Sequence, residues 1–326
     1  ERGRAFGLQA TLTYLGLTLG PGVGGLLLGR FGWPAIFFVN VPVGVVVLGV
    51  AAKVLRAERP QNGHEAFDSA GAVTFALALG SLLLVLSKGG EWGWGRPAVL
   101  GLAATAAVAG ALFVATERRV RHPALDLTLF RNPTFSSAVL AAYLCYLASA
   151  SVSFLMPFFL LSGCGYSAPR AGAVLMGVPI AMMATTGPSG WLSDRVGVRA
   201  PATLGLAVMA VGVGLLGQLQ IGESVPCIVG SLACFGVGAG LFTVPNNIAM
   251  MSEVPPARRG IAGAVLSAAR TVGFASGVAM AGLVYTHALV AAGPLAPAEA
   301  VAQAVRRGLR ATLCVSAAAL VCGWLV

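Results

Sequence analysis

The stretch Gly16-Leu17-Thr18-Leu19-Gly20-Pro21-Gly22-Val23-Gly24-Gly25 lies in an apolar run, 7–29, and its glycine pattern returns near the other end of the chain. Moving the start of the chain forward by 257 positions sets Arg2 on Arg259, Gly3 on Gly260, Ala5 on Ala262, Gly16 on Gly273, Gly20 on Gly277 and Gly25 on Gly282. A glycine-rich chain aligns some glycines by chance, but both segments also follow basic residues and run from them into apolar sequence. Two helical units repeated in the same orientation leave this signature. Within the stretch, glycines four apart share one helix face, where the missing side chain lets another backbone approach. Pro21 removes the amide that would bond the Leu17 carbonyl, so the helix softens or kinks there.

The rest of the chain agrees with a membrane setting. It is 57% hydrophobic and 10% charged, against about 25% charged in a soluble domain. A net charge of +10 raises the question of nucleic acid, but the 21 basic residues are scattered singly and in pairs among apolar runs. No basic stripe forms, which excludes that class. A spanning helix needs about 20 apolar residues, and ten such runs are expected: 7–29, 33–55, 68–87, 97–116, 135–161, 168–190, 201–219, 225–249, 260–286 and 309–326. The acidic residues all fall in loops or at run ends, as the cost of burying charge in lipid requires.

Alternate loops then sort by basic charge. The richer set, Arg2, Arg4, Lys53, Arg56, Arg59, Arg118, Arg119, Arg121, Arg131, Arg195, Arg199, Arg258 and Arg259, is assigned to the cytoplasm. Arg30, Lys88, Arg96, Arg170, Arg306, Arg307 and Arg310 fall in the outer set. The six cysteines show no CxxC pair and the three histidines are isolated, so no metal site or cofactor is expected. No catalytic constellation or phosphate-binding loop is present in the sequence, and an enzyme is not expected.

The repeat also sets the architecture. The shift spans eight apolar runs, two more than a six-plus-six arrangement would give, so two helices are inserted between the halves. Residues 1–55 read as the last two spans of an N-terminal bundle, 56–134 as two linker spans with their loops, and 135–326 as a six-helix C-terminal bundle. The chain opens at Glu1 and closes inside an apolar run at Val326, which reads as a fragment preceded by about four spans.

Three polar or glycine-rich patterns stand out against this frame. The first is Gly16, Gly20, Pro21, Gly24 and Gly25. The second is Gly190-Trp191-Leu192-Ser193-Asp194-Arg195-Val196-Gly197-Val198-Arg199, expected as a tight cytoplasmic turn in which Asp194 meets a helix N-terminus. The third is Arg270, ten residues past Gly260 and so near mid-membrane, where a guanidinium needs a partner or must snorkel to the surface. Asn40, near Pro42, and Asn246 and Asn247, after Pro245, are weaker candidates for lining a cavity or mending a proline-broken helix. Phe154, Met156, Phe158 and Phe159 are candidates for an apolar substrate surface, with core packing as the alternative.

The first pattern resembles the antiporter motif of the drug:proton antiporters of the major facilitator superfamily, and the second is similar to the G-x-L-S-D-R-x-G-x-R loop of that superfamily. The connector containing Leu129, Phe130, Arg131 and Asn132 also looks like that family's fourteen-span branch. The resemblance implies a major facilitator fold with two extra helices, a glycine seam between halves, and a latch from Asp194 to the helix start near residues 5–7. It further implies proton-coupled export of a small hydrophobic drug or natural product across a bacterial inner membrane, by alternating access. The competing expectations are another transport mode, such as symport or facilitation, and a truncated remnant that does not transport. No acid falls inside an expected span, so a proton-carrying carboxylate would belong to helices before Glu1.

Overall fold

A computed structural model describes residues 8, 12–13, 15–16, 27, 30–32, 34–54, 69–119, 127–255, 258–291 and 297–325, and among them every regular element is helical. The helices are α1 (Pro34–Phe38), α2 (Asn40–Val54), α3 (Ser69–Trp92), α4 (Pro97–Glu117), α5 (Pro133–Phe158), α6 (Ala168–Leu175) and α7 (Gly177–Val196). They continue as α8 (Arg199–Leu216), α9 (Val225–Ser252), α10 (Arg259–Ala291) and α11 (Pro297–Leu325). Several start at a proline, whose fixed φ and missing amide suit the first turn: Pro97, Pro133 and Pro297 open α4, α5 and α11. Apolar residues run right round α4, α5 and α9, the pattern of helices surrounded by protein or lipid on all sides.

Among the described residues, seven stretches are long and apolar enough to cross a membrane: Ala70–Trp92, Pro97–Glu117, Pro133–Gly163, Pro169–Val196, Arg199–Leu216, Val225–Ser252 and Arg259–Ala291. Each matches one of the expected runs. The run 33–55 divides at Val39 into α1 and the fifteen-residue α2, and most of 7–29 lies outside the described residues. The final run needs correction. Its helix begins at Pro297 rather than 309, so Arg306, Arg307 and Arg310 ride on α11 instead of a loop. The segment before residue 309 is rich in Ala, Glu, Gln and Arg, strong helix formers that extend a helix even where they are not apolar.

From α5 onward the helices pack as one unit. α9 lies along α8 and α7, α10 along α5, and α11 against α5, α8 and α10. Their shared core includes Leu155, Leu206, Met209, Leu232, Phe235 and Phe242, all almost fully buried. Lipid offers apolar side chains no reason to leave it, so close packing must supply the attraction. The α8–α9 contact shows how: a methyl placed on Gly205 would lie 2.6 Å from the Phe242 amide nitrogen, and one on Gly212 would strike the Phe235 amide. Ahead of this unit, α3 and α4 form a hairpin, turning at Gly93 with φ of +91° and joined by Phe75 and Phe113, whose ring centres are 5.3 Å apart. α3 leans on α10.

Candidate functional site

Prolines inside these helices leave carbonyls that must be paired, and one repair is explicit. Pro245 in α9 has no amide to offer the Leu241 carbonyl. Ser189 of α7 supplies the bond instead, its Oγ donating to the Leu241 oxygen at 2.7 Å. The helix is therefore mended by a serine on the neighbouring span and not by the asparagines that follow the proline. Asn246 is buried, with no hydrogen-bond partner at its Oδ1, and Asn247 is half-buried. Asn40 opens α2 at an exposed position.

The loop pattern is more helical than its sequence suggests. Gly190 through Val196 complete α7, and the chain turns only at Gly197 and Val198. Gly197 takes φ of +84°, a backbone region that side-chain-bearing residues avoid, and its amide donates to Ser193 O at 3.1 Å. Asp194 thus sits in the last turn of α7, and the residue before α8 is Val198, without a side-chain cap. Arg195 stacks on Trp191 one turn back, 3.9 Å from the ring centre, and Arg199 lies 5.0 Å from the ring of Trp324 on α11. The expected latch partners near residues 5–7 lie outside the described residues.

Of the first pattern only Gly16 is described: it is helical and exposed, with no atom within 4 Å of an added Cβ. Gly20, Pro21, Gly24 and Gly25 lie outside the described residues. The α10 glycines that the 257-residue shift sets on Gly16 and Gly20, Gly273 and Gly277, face α5. A methyl on Gly273 would come 2.7 Å from the Tyr143 oxygen, and one on Gly277 would strike the Leu147 oxygen. Ser151 of α5 ties this seam by donating to the Gly277 carbonyl at 3.1 Å. These glycines close the C-terminal unit upon itself. Arg270, on the same helix, is exposed rather than enclosed, its guanidinium 5.8 Å from the Tyr146 ring, within the range of a cation–π contact.

Other features were hidden in the sequence. Asn132 caps α5 by accepting from the amides of Thr134 (2.9 Å) and Phe135 (3.4 Å), while its Nδ2 donates to Glu253 Oε2 at 2.6 Å. The connector before α5 is thereby bound to the end of α9. The cap was legible as Asn before Pro, but its partner 121 residues away was not. Glu117, placed in a loop by the apolar pattern, ends α4 and is 5% exposed. Met156 and Phe159 pack in the core, whereas Phe154, Phe158 and Tyr285 form a half-buried aromatic row with ring centres 5.2 Å and 4.9 Å apart. Two large hollows also appear. One, of about 730 Å³, is apolar and lies among α3, α4, α5 and α10; the other, of about 720 Å³, is lined by Gln218, Glu299, Gln303, Arg306 and Arg310.

Close-packed apolar helices, with seven stretches among the described residues long enough to cross a bilayer, define a multi-pass membrane protein. The family model of the Major Facilitator Superfamily matches residues 1–278. The chain belongs to that superfamily. It is 32% identical over 284 residues to the multidrug resistance protein Stp of Mycobacterium tuberculosis, covering 87% of this chain and 52% of that one. The riboflavin transporter RibZ of Clostridioides difficile is 30% identical over 279 residues, 86% of this chain and 60% of the relative. The multidrug transporter protein MdtP of Bacillus subtilis is 29% identical over 285 residues, 87% and 52% respectively. The chain spans between 52% and 60% of the lengths of these relatives.

Proposed function

We propose that this chain is the later part of a fourteen-span drug:proton antiporter that exports small hydrophobic compounds across a bacterial inner membrane. Residues 1–55 then close an N-terminal bundle, 56–134 carry the two inserted spans, and 135–326 form the C-terminal bundle, ten spans in all. The observation that carries this reading is the order of elements: the glycine-proline pattern at 16–25, then the α3–α4 hairpin, then a close-packed unit from α5 to α11. Stp and MdtP, named for multidrug resistance and multidrug transport, add weight to the drug class. Substrate binds midway between two bundles, and inward proton movement drives their rocking. Pro21 and the glycines around it serve as the seam, Asp194 and Arg195 as the cytoplasmic latch, and Arg270 as an intramembrane polar group.

The test uses everted membrane vesicles from cells expressing the full-length gene. An imposed pH gradient is expected to drive ethidium uptake, and an ionophore that collapses the gradient should abolish it. Pro21→Ala and Arg270→Ala should each slow uptake roughly tenfold, the scale of a coupling free energy of about 1–3 kcal/mol. Uptake indifferent to the gradient would discard proton antiport, and full activity in both variants would discard their roles. RibZ supports a second reading, transport of a vitamin-like aromatic substrate. Gradient-independent movement of riboflavin, with no movement of ethidium, is the result that favours it.

A further inference from the structure

The apolar hollow among α3, α4, α5 and α10 adjoins the α5–α10 seam at Tyr143 and stands apart from the loop motif. Its walls include Phe75, Phe113, Phe130, Leu140, Ala268 and Val272. Its two side-chain hydroxyls are those of Ser136 and Tyr143, and Ser136 is already donating to the Phe130 carbonyl at 2.6 Å. A site that selects a drug-sized molecule places several polar groups to orient it. This hollow instead suits a flexible hydrocarbon chain.

Its position agrees. Along α10 the lining runs from Ile261 to Val272, a rise of ~16 Å, which is about half the ~30 Å hydrocarbon core of a bilayer. The hollow therefore belongs to one leaflet. All its walls come from one end of the unit: the start of α3, the end of α4, the connector before α5, and the starts of α5 and α10. Arginines gather at that end. Arg118 and Arg119 follow α4, Arg131 follows Phe130 of the lining, and Arg259 begins α10 two residues before Ile261. The first three are exposed and Arg259 is half-buried. Of the acids nearby, Glu117 is buried and Glu253 is bonded to Asn132.

We infer that this hollow is a binding site for one anionic phospholipid, its acyl chain lying against α3, α5 and α10 and its phosphate held by Arg131 and Arg259. Guanidinium groups pair with phosphate through charge-assisted hydrogen bonds, and an apolar slot ending in a basic rim matches both parts of the molecule. Bound there, the lipid joins the inserted helix to the C-terminal unit. The site does not depend on what the protein transports.

The experiment places the purified full chain in phosphatidylcholine nanodiscs containing a trace of phosphatidylglycerol with a photoreactive diazirine on its acyl chain. Labelling is expected to concentrate on peptides containing residues 71–79, 136–143 and 261–272. Excess phosphatidylglycerol should displace the label, and excess phosphatidylcholine should not. Arg131→Gln and Arg259→Gln should each lower the preference for phosphatidylglycerol about fivefold, and Ala268→Trp should remove labelling by filling the slot. Label spread evenly around the helices, or displaced equally by both lipids, overturns the site and indicates an ordinary lipid belt. The competition is carried out on the unaltered chain, so it decides the matter even if a variant fails to fold.

Discussion

At the scale of single residues, the polar side chains in this protein mostly answer for the backbone. Ser189 replaces the amide that Pro245 lacks, and Asn132 answers for two open amides at the start of α5. An unpaired buried carbonyl is worth about 1–3 kcal/mol of lost stability. Ser189→Ala is therefore expected to destabilise the chain by that amount, measured by thermal unfolding in detergent. In a Pro245→Ala background the restored amide can serve the Leu241 carbonyl, and the same serine change should then lose much less. Equal losses in both backgrounds would refute the repair. The candidate positions were legible as residue types: a proline with polar neighbours signals a broken ladder. Which neighbour mends it was not legible, because Ser189 and Leu241 are 52 positions apart and meet only when α7 lies along α9.

At the scale of elements, contact between spans is governed by where side chains are absent. Gly277 lies against the backbone of α5, whereas an added Cβ on Gly260, at the start of the same helix, would meet no atom within 4 Å. The two glycines should respond with opposite signs. Gly277→Leu overfills the seam and is expected to cost about 1–3 kcal/mol or more. Gly260→Ala should be neutral or stabilise by about 0.5–1 kcal/mol, since it only removes backbone freedom from the unfolded chain. Thermal melts of the two variants side by side test this, and a melting point unchanged by Gly277→Leu would remove the α5–α10 seam from the account. The repeat read from the sequence identified these glycines as special. It linked them to a seam between halves, while the structure sets Gly273 and Gly277 inside the C-terminal unit, because a glycine face specifies close approach without specifying to whom.

At the scale of the whole molecule, the alternation of basic loops sets an orientation that can be tested with the native cysteines. Cys164 follows the π turn after α5, and Cys227 is exposed in the first turn of α9. Both belong to the outer side in the proposed topology. Burial pushes the Cys164 thiol above its ordinary value, and a backbone hydrogen bond involving Gly222 opposes the shift. The thiolate is the reactive form, so a raised value means less thiolate at a given pH. A membrane-impermeant maleimide added to intact cells is expected to label Cys227 readily. Cys164 should react slowly, with a rate that climbs as pH is raised. Labelling of both only in everted vesicles would invert the topology.

The amino-acid sequence by itself determined that the chain is helical and built for lipid, where most of its spans lie, and that the chain reverses near Gly197. These properties depend on local composition: runs of apolar residues, the exclusion of charge from them, and the backbone demands of Gly197. Tertiary structure alone decided that Ser189 serves Leu241, that Asn132 reaches Glu253, that Gly277 faces α5, and that α3 leaves an apolar slot against α10. In lipid one apolar helix face resembles another in solvation, so partner choice is left to the fit of surfaces brought together from distant parts of the chain.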